Sequence, residues 1–260
     1  EIKDVLKWRE LLWQMTSREI KARYKQSILG YFWVILNPLA QMLVMSFAFS
    51  IILRIPTNSA SHIPYALFLY TALLPWNLFS TSVSSSAMSL VNSAPLIRKI
   101  YFPRSILVIS TIIAKLIDFA FALTVLIVFF IFFQIPITFN ILWVIPILLI
   151  QLVFTLGLSL FFAAANLIYR DIQYLLALVI SLWFYITPIV YPADIVPDRF
   201  KFIFQLNPMS VFVNAYRQTV LGGKTPDLFS LYIALIVSFI TLFLGLLYFK
   251  QREKTFADIV

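Results

Sequence analysis

Cysteine is absent from the 260 residues, so the chain offers no disulfide framework and no thiolate metal site, and its redox compartment goes unmarked. His62 is the one histidine, which excludes a histidine-cluster metal centre. Five glycines are too few and too scattered for a dinucleotide fingerprint. Gly223-Lys224-Thr225 imitates the end of a phosphate-binding loop, but that loop needs a glycine where Gln218 stands. Acids are scarce too: of eleven Asp and Glu, only Asp118 falls inside a long apolar stretch. Paired-carboxylate hydrolysis and a carboxylate proton relay therefore lack their raw material. The chain reads as a non-enzyme that holds no metal or cofactor of its own and hydrolyses no nucleotide.

What the chain has in abundance is apolar surface. Hydrophobic residues make up 62% and charged residues 12%, against about 45–50% and about 25% in a soluble domain. Lipid is the solvent such a chain needs. The formal charge of +9 fits either nucleic acid or an acidic membrane surface, and the placement of the charges selects the membrane, with no nucleic acid as partner. A crossing helix takes about 20 apolar residues. Six candidates follow, at 28–54, 65–90, 105–133, 141–168, 172–190 and 228–249. The third is the awkward one. Phe119–Phe133 alone is too short, and extension back to Ser105 forces Lys115 and Asp118 into the membrane.

Basic residues test that count. With the N-terminus in the cytoplasm, segments 1–30, 91–104, 169–173 and 250–260 carry seven, three, one and three of the twenty Lys and Arg. The outside keeps five, including Arg199 and Arg217. This asymmetry obeys the positive-inside rule, and dropping the third span erases it. The expected fold is an all-α integral membrane protein with six transmembrane helices and both termini cytoplasmic.

Several segments do not span. Residues 1–27 read as an amphipathic interface helix, with Trp8 and Trp13 at the lipid boundary and Arg18 and Arg23 toward anionic head groups; a plain topogenic tail is the alternative. Cytoplasmic 95–103, bounded by Pro95 and Pro103, sets Leu96, Ile97, Ile100, Tyr101 and Phe102 beside Arg98, Lys99 and Arg104. Exposed aromatics with a basic rim suit a groove on a partner, or else simple anchoring. Arg170 and Asp171 form a tighter cytoplasmic turn. Outer segment 195–223 holds two short stretches, Arg199–Leu206 and Ser210–Leu221, read as re-entrant helices that gate a pathway or merely cap the bundle.

The polar residues within spans keep two readings each. Lys115 and Asp118, at i and i+3, face either a polar pathway or one another inside the bundle. The hydroxyl run Ser80–Ser86 serves close helix packing or lines a passage for polar cargo. Pro38 and Pro188 should kink their helices. Trp183, Phe184, Tyr185 and Tyr191, with Phe200, Phe204, Phe212 and Tyr216 beyond them, are candidate channel or gate residues, offering faces for sugar rings.

In order along the chain stand a basic amphipathic helix, Leu29-Gly30-Tyr31-Phe32-Trp33 before Asn37-Pro38, the segment Leu96 to Arg104, Tyr169-Arg170-Asp171-Ile172, Tyr191-Pro192, and Leu206-Asn207-Pro208-Met209. Together they resemble the permease subunits of ABC-2 type transporters that export polysaccharides such as O-antigen, capsule and teichoic acid. The resemblance implies a homodimer working with two copies of a separate cytoplasmic ATPase, which alone binds ATP and Mg. It implies that 95–103 is a coupling helix docking on that ATPase, Arg170-Asp171 a second contact, and 195–223 the outer gate helices. The cargo implied is a lipid-linked glycan, O-antigen foremost, crossing the bacterial inner membrane between protomers. An exporter of drugs or simple lipids is the alternative on the same fold. A membrane-embedded transferase is the alternative of another class, and it would need more acids or histidines at one face.

Overall fold

The computed structural model describes residues 8–24, 27, 29–52, 64–197, 199, 202, 204 and 206–256. No strand occurs among them, in keeping with the all-α expectation. Helix α1 is Arg9–Tyr24, and α2 is Phe32–Ser46, prolonged by a π-helical turn at Phe47–Ile52. Helix α3 is Tyr65–Asn92, α4 is Ala94–Lys99 and α5 is Ser105–Phe132. A 3-10 turn at Phe139–Trp143 leads into α6, Val144–Ile168, and α7 is Ile172–Ile186. Helix α8, Pro208–Tyr216, runs on as a π-helical turn to Leu221, and α9 is Leu228–Glu253.

Five of these helices are long and apolar enough to cross a membrane: α2, α3, α5, α6 with its 3-10 turn, and α9. Lys115 and Asp118 do lie within one unbroken helix, as span length demands. The sixth candidate differs from the expected helix over 172–190: α7 has 15 residues and stops at Ile186. Pro188 disfavours helical geometry at the residue before it, and Thr187 turns extended with ψ 134°. Residues 187–190 form a buried turn instead.

Helix α3 is the hub. It packs against α2, α5, α6, α7 and α8, and 72% of its most apolar window is buried, against 11–28% for the other four. That position explains its composition. Its buried face combines bulky Tyr70, Trp76 and Phe79 with small hydroxyl residues that let neighbouring helices approach closely. Thr71 donates to the Leu67 carbonyl at 2.9 Å and Ser89 to the Ser86 carbonyl at 2.7 Å. Ser82 and Ser86 are fully buried, while Thr81 and Ser84 are exposed, so the hydroxyl run divides between two faces. Helices α6 and α9 cross at Gly157 and Gly245. A Cβ on Gly157 would lie 2.6 Å from the Leu242 nitrogen, and one on Gly245 would overlap the Gly157 carbonyl oxygen.

A second apolar cluster gathers the chain's basic end. Phe102, Leu107, Leu160, Leu167, Phe249 and Phe256 share it, with Trp8, Leu11 and Met15 of the α1 region packed alongside.

Candidate functional site

Helices α2, α3 and α5 line an open-sided cavity of about 590 Å³. Each contributes polar side chains one helical turn apart, which puts them on one face. Asn37 and Gln41 come from α2, Asn77 and Thr81 from α3, and Lys115 and Asp118 from α5, with Trp33 also on the wall. Asn77 Nδ2 donates to Gln41 Oε1 at 3.2 Å, tying α2 to α3. Thr81 donates to the Asn77 carbonyl at 2.6 Å. At 1.5 Å per residue, Lys115 and Asp118 stand about 15 and 20 Å along α5 from its Ser105 end. Both are half-buried. A charge alone at such depth costs about 2.5–3.5 kcal/mol, and the chamber keeps both charges among polar groups instead.

Below the cavity lies the basic face. Helix α4 carries half-buried Leu96, buried Ile97, and exposed Arg98 and Lys99, and it ends where Ile100 turns extended. Tyr101 is 87% exposed. Phe102, expected to project beside it, is 3% exposed and anchors in the second apolar cluster. Phe102 fills a place in that cluster with Ile97, Leu107 and Phe249, whereas Ile100 and Tyr101 stay outside it. Arg104 donates through its backbone N–H to Glu253 Oε1 at 3.2 Å and through its guanidinium to the Glu253 carbonyl at 2.9 Å. Helix α1 lies against the start of α5, with Trp8 half-buried, Trp13 exposed and Arg18 donating to Ser93 Oγ at 3.2 Å. The Arg23 side chain lies outside the described residues. Arg170 and Asp171 are exposed on the second turn. Asn166 braces that turn, donating to the Ala87 carbonyl at 2.9 Å and accepting from the Gln173 N–H at 3.0 Å.

At the other end, α8 is buried around nearly its whole circumference. Asn207 caps it, accepting from the Met209 N–H at 3.1 Å and from Trp183 Nε1 at 2.9 Å, and donating to Thr187 Oγ1 at 3.2 Å. One side chain thus fastens the start of α8 to the broken end of α7. Phe212 and Tyr216 are core residues; the Tyr216 hydroxyl donates to Gln151 Oε1 at 3.1 Å, and Gln151 Nε2 donates to the Pro75 carbonyl at 2.8 Å. The Arg217 guanidinium donates to the carbonyls of Pro188, Ile189 and Phe68 and sits 3.5 Å over the Phe68 ring. Burial works against its charge, and those oxygens and the ring face stand in for water. Of the outer aromatics, Phe184 is buried, Trp183 is half-buried and Tyr185 exposed. Tyr191 donates to the Tyr185 carbonyl at 2.9 Å and lies 6.4 Å from the Phe204 ring. Phe200 lies outside the described residues.

Residues 10–221 match the family described as ABC-2 type transporter. The chain belongs to that family. It is similar to the O-antigen export system permease protein RfbA of Klebsiella pneumoniae, at 34% identity covering 96% of this chain and 95% of the relative. The protein of the same name in Myxococcus xanthus is 31% identical, covering 100% and 98%. The polysialic acid transport protein KpsM of Escherichia coli is 27% identical, covering 91% of each.

In this ABC-2 chain the fold joins Lys115 and Asp118 with four polar neighbours that lie far apart in sequence. It also gives roles to four residues that hydropathy does not single out: Gln151, Asn166, Asn207 and Arg217. By its place in the sequence Arg217 is an outer charge in water, yet it is 8% exposed. A signal for Gln151 and Asn166 exists, since they are the two amides of the apolar helix α6, where burial demands a partner.

Proposed function

We propose that this ABC-2 chain is the permease that carries a lipid-linked polysaccharide of the O-antigen type across the bacterial inner membrane. The observation that carries this reading is likeness over nearly the whole chain to relatives named for O-antigen export, at 31–34% identity. A polysialic acid cargo, as named for KpsM, is the second reading, favoured by its 27% identity.

The chain crosses six times, with both termini cytoplasmic, the five long helices being joined by α7. Fifteen residues make about 22 Å of helix, short of the roughly 30 Å of hydrocarbon. Residues 187–190 complete the crossing as a turn buried under α8, and non-helical backbone is tolerated at that depth when protein covers it. Two copies form the working unit with two copies of a separate cytoplasmic ATPase, which binds ATP and Mg. Segment 95–103 docks on that ATPase through Arg98, Lys99, Ile100 and Tyr101, and Arg170 and Asp171 make the second contact. Segment 195–223 closes the outer mouth.

The test is genetic and direct. Deleting the gene should remove surface polysaccharide and accumulate its lipid-linked form inside, and plasmid-borne permease should restore display. Unchanged surface polysaccharide in the deletion strain, with drug efflux lost, would move the chain to the other cargo class.

A further inference from the structure

We propose that the cavity between α2, α3 and α5 is a saccharide-binding subsite, built for a neutral sugar unit rather than for a phosphate or a hydrocarbon tail. The proposal rests on the polysaccharide reading above and adds to it where in the chain sugar is held.

Seven of the fourteen residues on the wall are polar, and these set the ligand class. Three amides, Asn37, Gln41 and Asn77, and the Thr81 hydroxyl supply both donors and acceptors, the mixture that sugar hydroxyls require. Lys115 and Asp118 contribute opposite formal charges, so the chamber has no net charge with which to attract a phosphate. An anion site in this position would gather cations, as the exposed basic face does. Trp33 closes one side with an indole surface, against which the C–H face of a sugar ring packs. A tail-binding cavity, by contrast, would not place six polar side chains at membrane depth, where each must be satisfied. The volume of about 590 Å³ lies within the range of ligand pockets for small organic molecules.

The amides are also held in a way that leaves capacity over. The Asn77–Gln41 hydrogen bond uses one amide hydrogen of Asn77 and one lone pair of Gln41. Each amide offers two donors and two acceptor lone pairs, so the bond orients both groups without saturating them. A ligand hydroxyl bridging α2 and α3 would find both partners already positioned.

The lack of any native cysteine makes the test clean. Thr81→Cys places a single thiol on the cavity wall, and Ser84→Cys places one on the same helix at an exposed position that does not line it. Both variants are extracted in polymer-bounded native-membrane discs and labelled with a small maleimide. Three probes are added: dodecyl maltoside below its micelle-forming concentration, dodecyl phosphocholine at the same concentration, and free maltose. The expected result is labelling at position 81 slowed about tenfold by dodecyl maltoside at some nine times its dissociation constant, little change with dodecyl phosphocholine, and no sugar effect at position 84. Slowing by free maltose as well identifies the sugar alone as the ligand; slowing by the alkyl sugar only identifies a sugar delivered on a lipid tail. Adding Asn77→Leu to Thr81→Cys should abolish the sugar effect while leaving the uninhibited labelling rate in place. Equal slowing by both detergents, or by neither, overturns the proposal. Failure here in a permease that restores surface polysaccharide removes the subsite and leaves the exporter reading standing. Loss of the exporter reading shows instead as intact polysaccharide in the deletion strain.

Discussion

Arg217→Met removes the charge that pins α8 and its π-helical turn to residues 187–190 while keeping most of the side chain's length. In the native protein the guanidinium fork holds the Pro188 and Ile189 carbonyls, reaches the Phe68 carbonyl at 3.4 Å, and covers the Phe68 ring. Methionine leaves two buried carbonyls short of a donor, at about 1–3 kcal/mol each, and gives up a desolvated cation–π contact of about 2 kcal/mol. Relief from burying an ion offsets part of this, several kcal/mol in other proteins. The net loss worked from these opposing contributions is about 2–4 kcal/mol, concentrated where α8 meets the end of α7. Hydrogen exchange in native-membrane discs reads it out. Amides of 187–190 and 208–221 should exchange about 30-fold faster or more, because each 1.4 kcal/mol is a factor of ten. Arg217→Lys should recover only part of the protection, since an ammonium lacks the planar fork that serves two carbonyls together. Native-like exchange in the methionine variant, or full protection in the lysine variant, would refute the pinning role.

The neighbours Tyr101 and Phe102 should behave in opposite ways. Tyr101→Asp should leave thermal stability unchanged and abolish co-purification of the ATPase, whereas Phe102→Ala should cost about 3–5 kcal/mol of stability by emptying a core position. Gly245→Ala forces α9 away from α6 and should lower stability by about 1–3 kcal/mol or block assembly, measured as melting temperature and membrane yield; a native melting curve counts against the close crossing. Lys115→Leu leaves the Asp118 carboxylate at membrane depth with one cation fewer and should lower yield, at about 2–3 kcal/mol. Lys115→Leu with Asp118→Leu should restore yield but slow export, and normal export by that double variant would show that neither charge serves the pathway.

Span positions are legible in the sequence because the demand they satisfy is one-dimensional: a run of apolar residues long enough for the bilayer. The same demand, applied to residue order alone, puts Lys115 and Asp118 inside α5. It fails at α7, where hydropathy continues past Ile186 but Pro188 ends the helix, and apolar composition does not distinguish a helix from a buried turn. The second failure is one of direction. Tyr101 and Phe102 are chemically alike, and only the packing of the folded chain buries one and leaves the other out. The cavity is illegible for a third reason. Six of its seven polar side chains come from three helices separated by tens of residues, and periodicity within each helix does not say which faces meet.

The exposed face around Tyr101 and the cavity share one connection through the start of α5. Phe102 is anchored in the core, Arg104 is bonded to Glu253, and α5 begins at Ser105 and runs 28 residues without proline or glycine. A displacement imposed at Tyr101 therefore has no soft joint to absorb it before Lys115 and Asp118. Weakening that connection should separate ATP hydrolysis from movement of cargo. Ile109→Gly lies between the two sites and lowers local helix stability by about 1 kcal/mol relative to alanine. Ile109→Ala removes nearly the same side chain but keeps the helix stiff, which controls for lost packing. The glycine variant should retain the ATPase and its hydrolysis yet export less per ATP than the alanine variant, measured as surface polysaccharide against phosphate release. Equal export per ATP in the two would mean that motion reaches the cavity by another route, through α1 or α3.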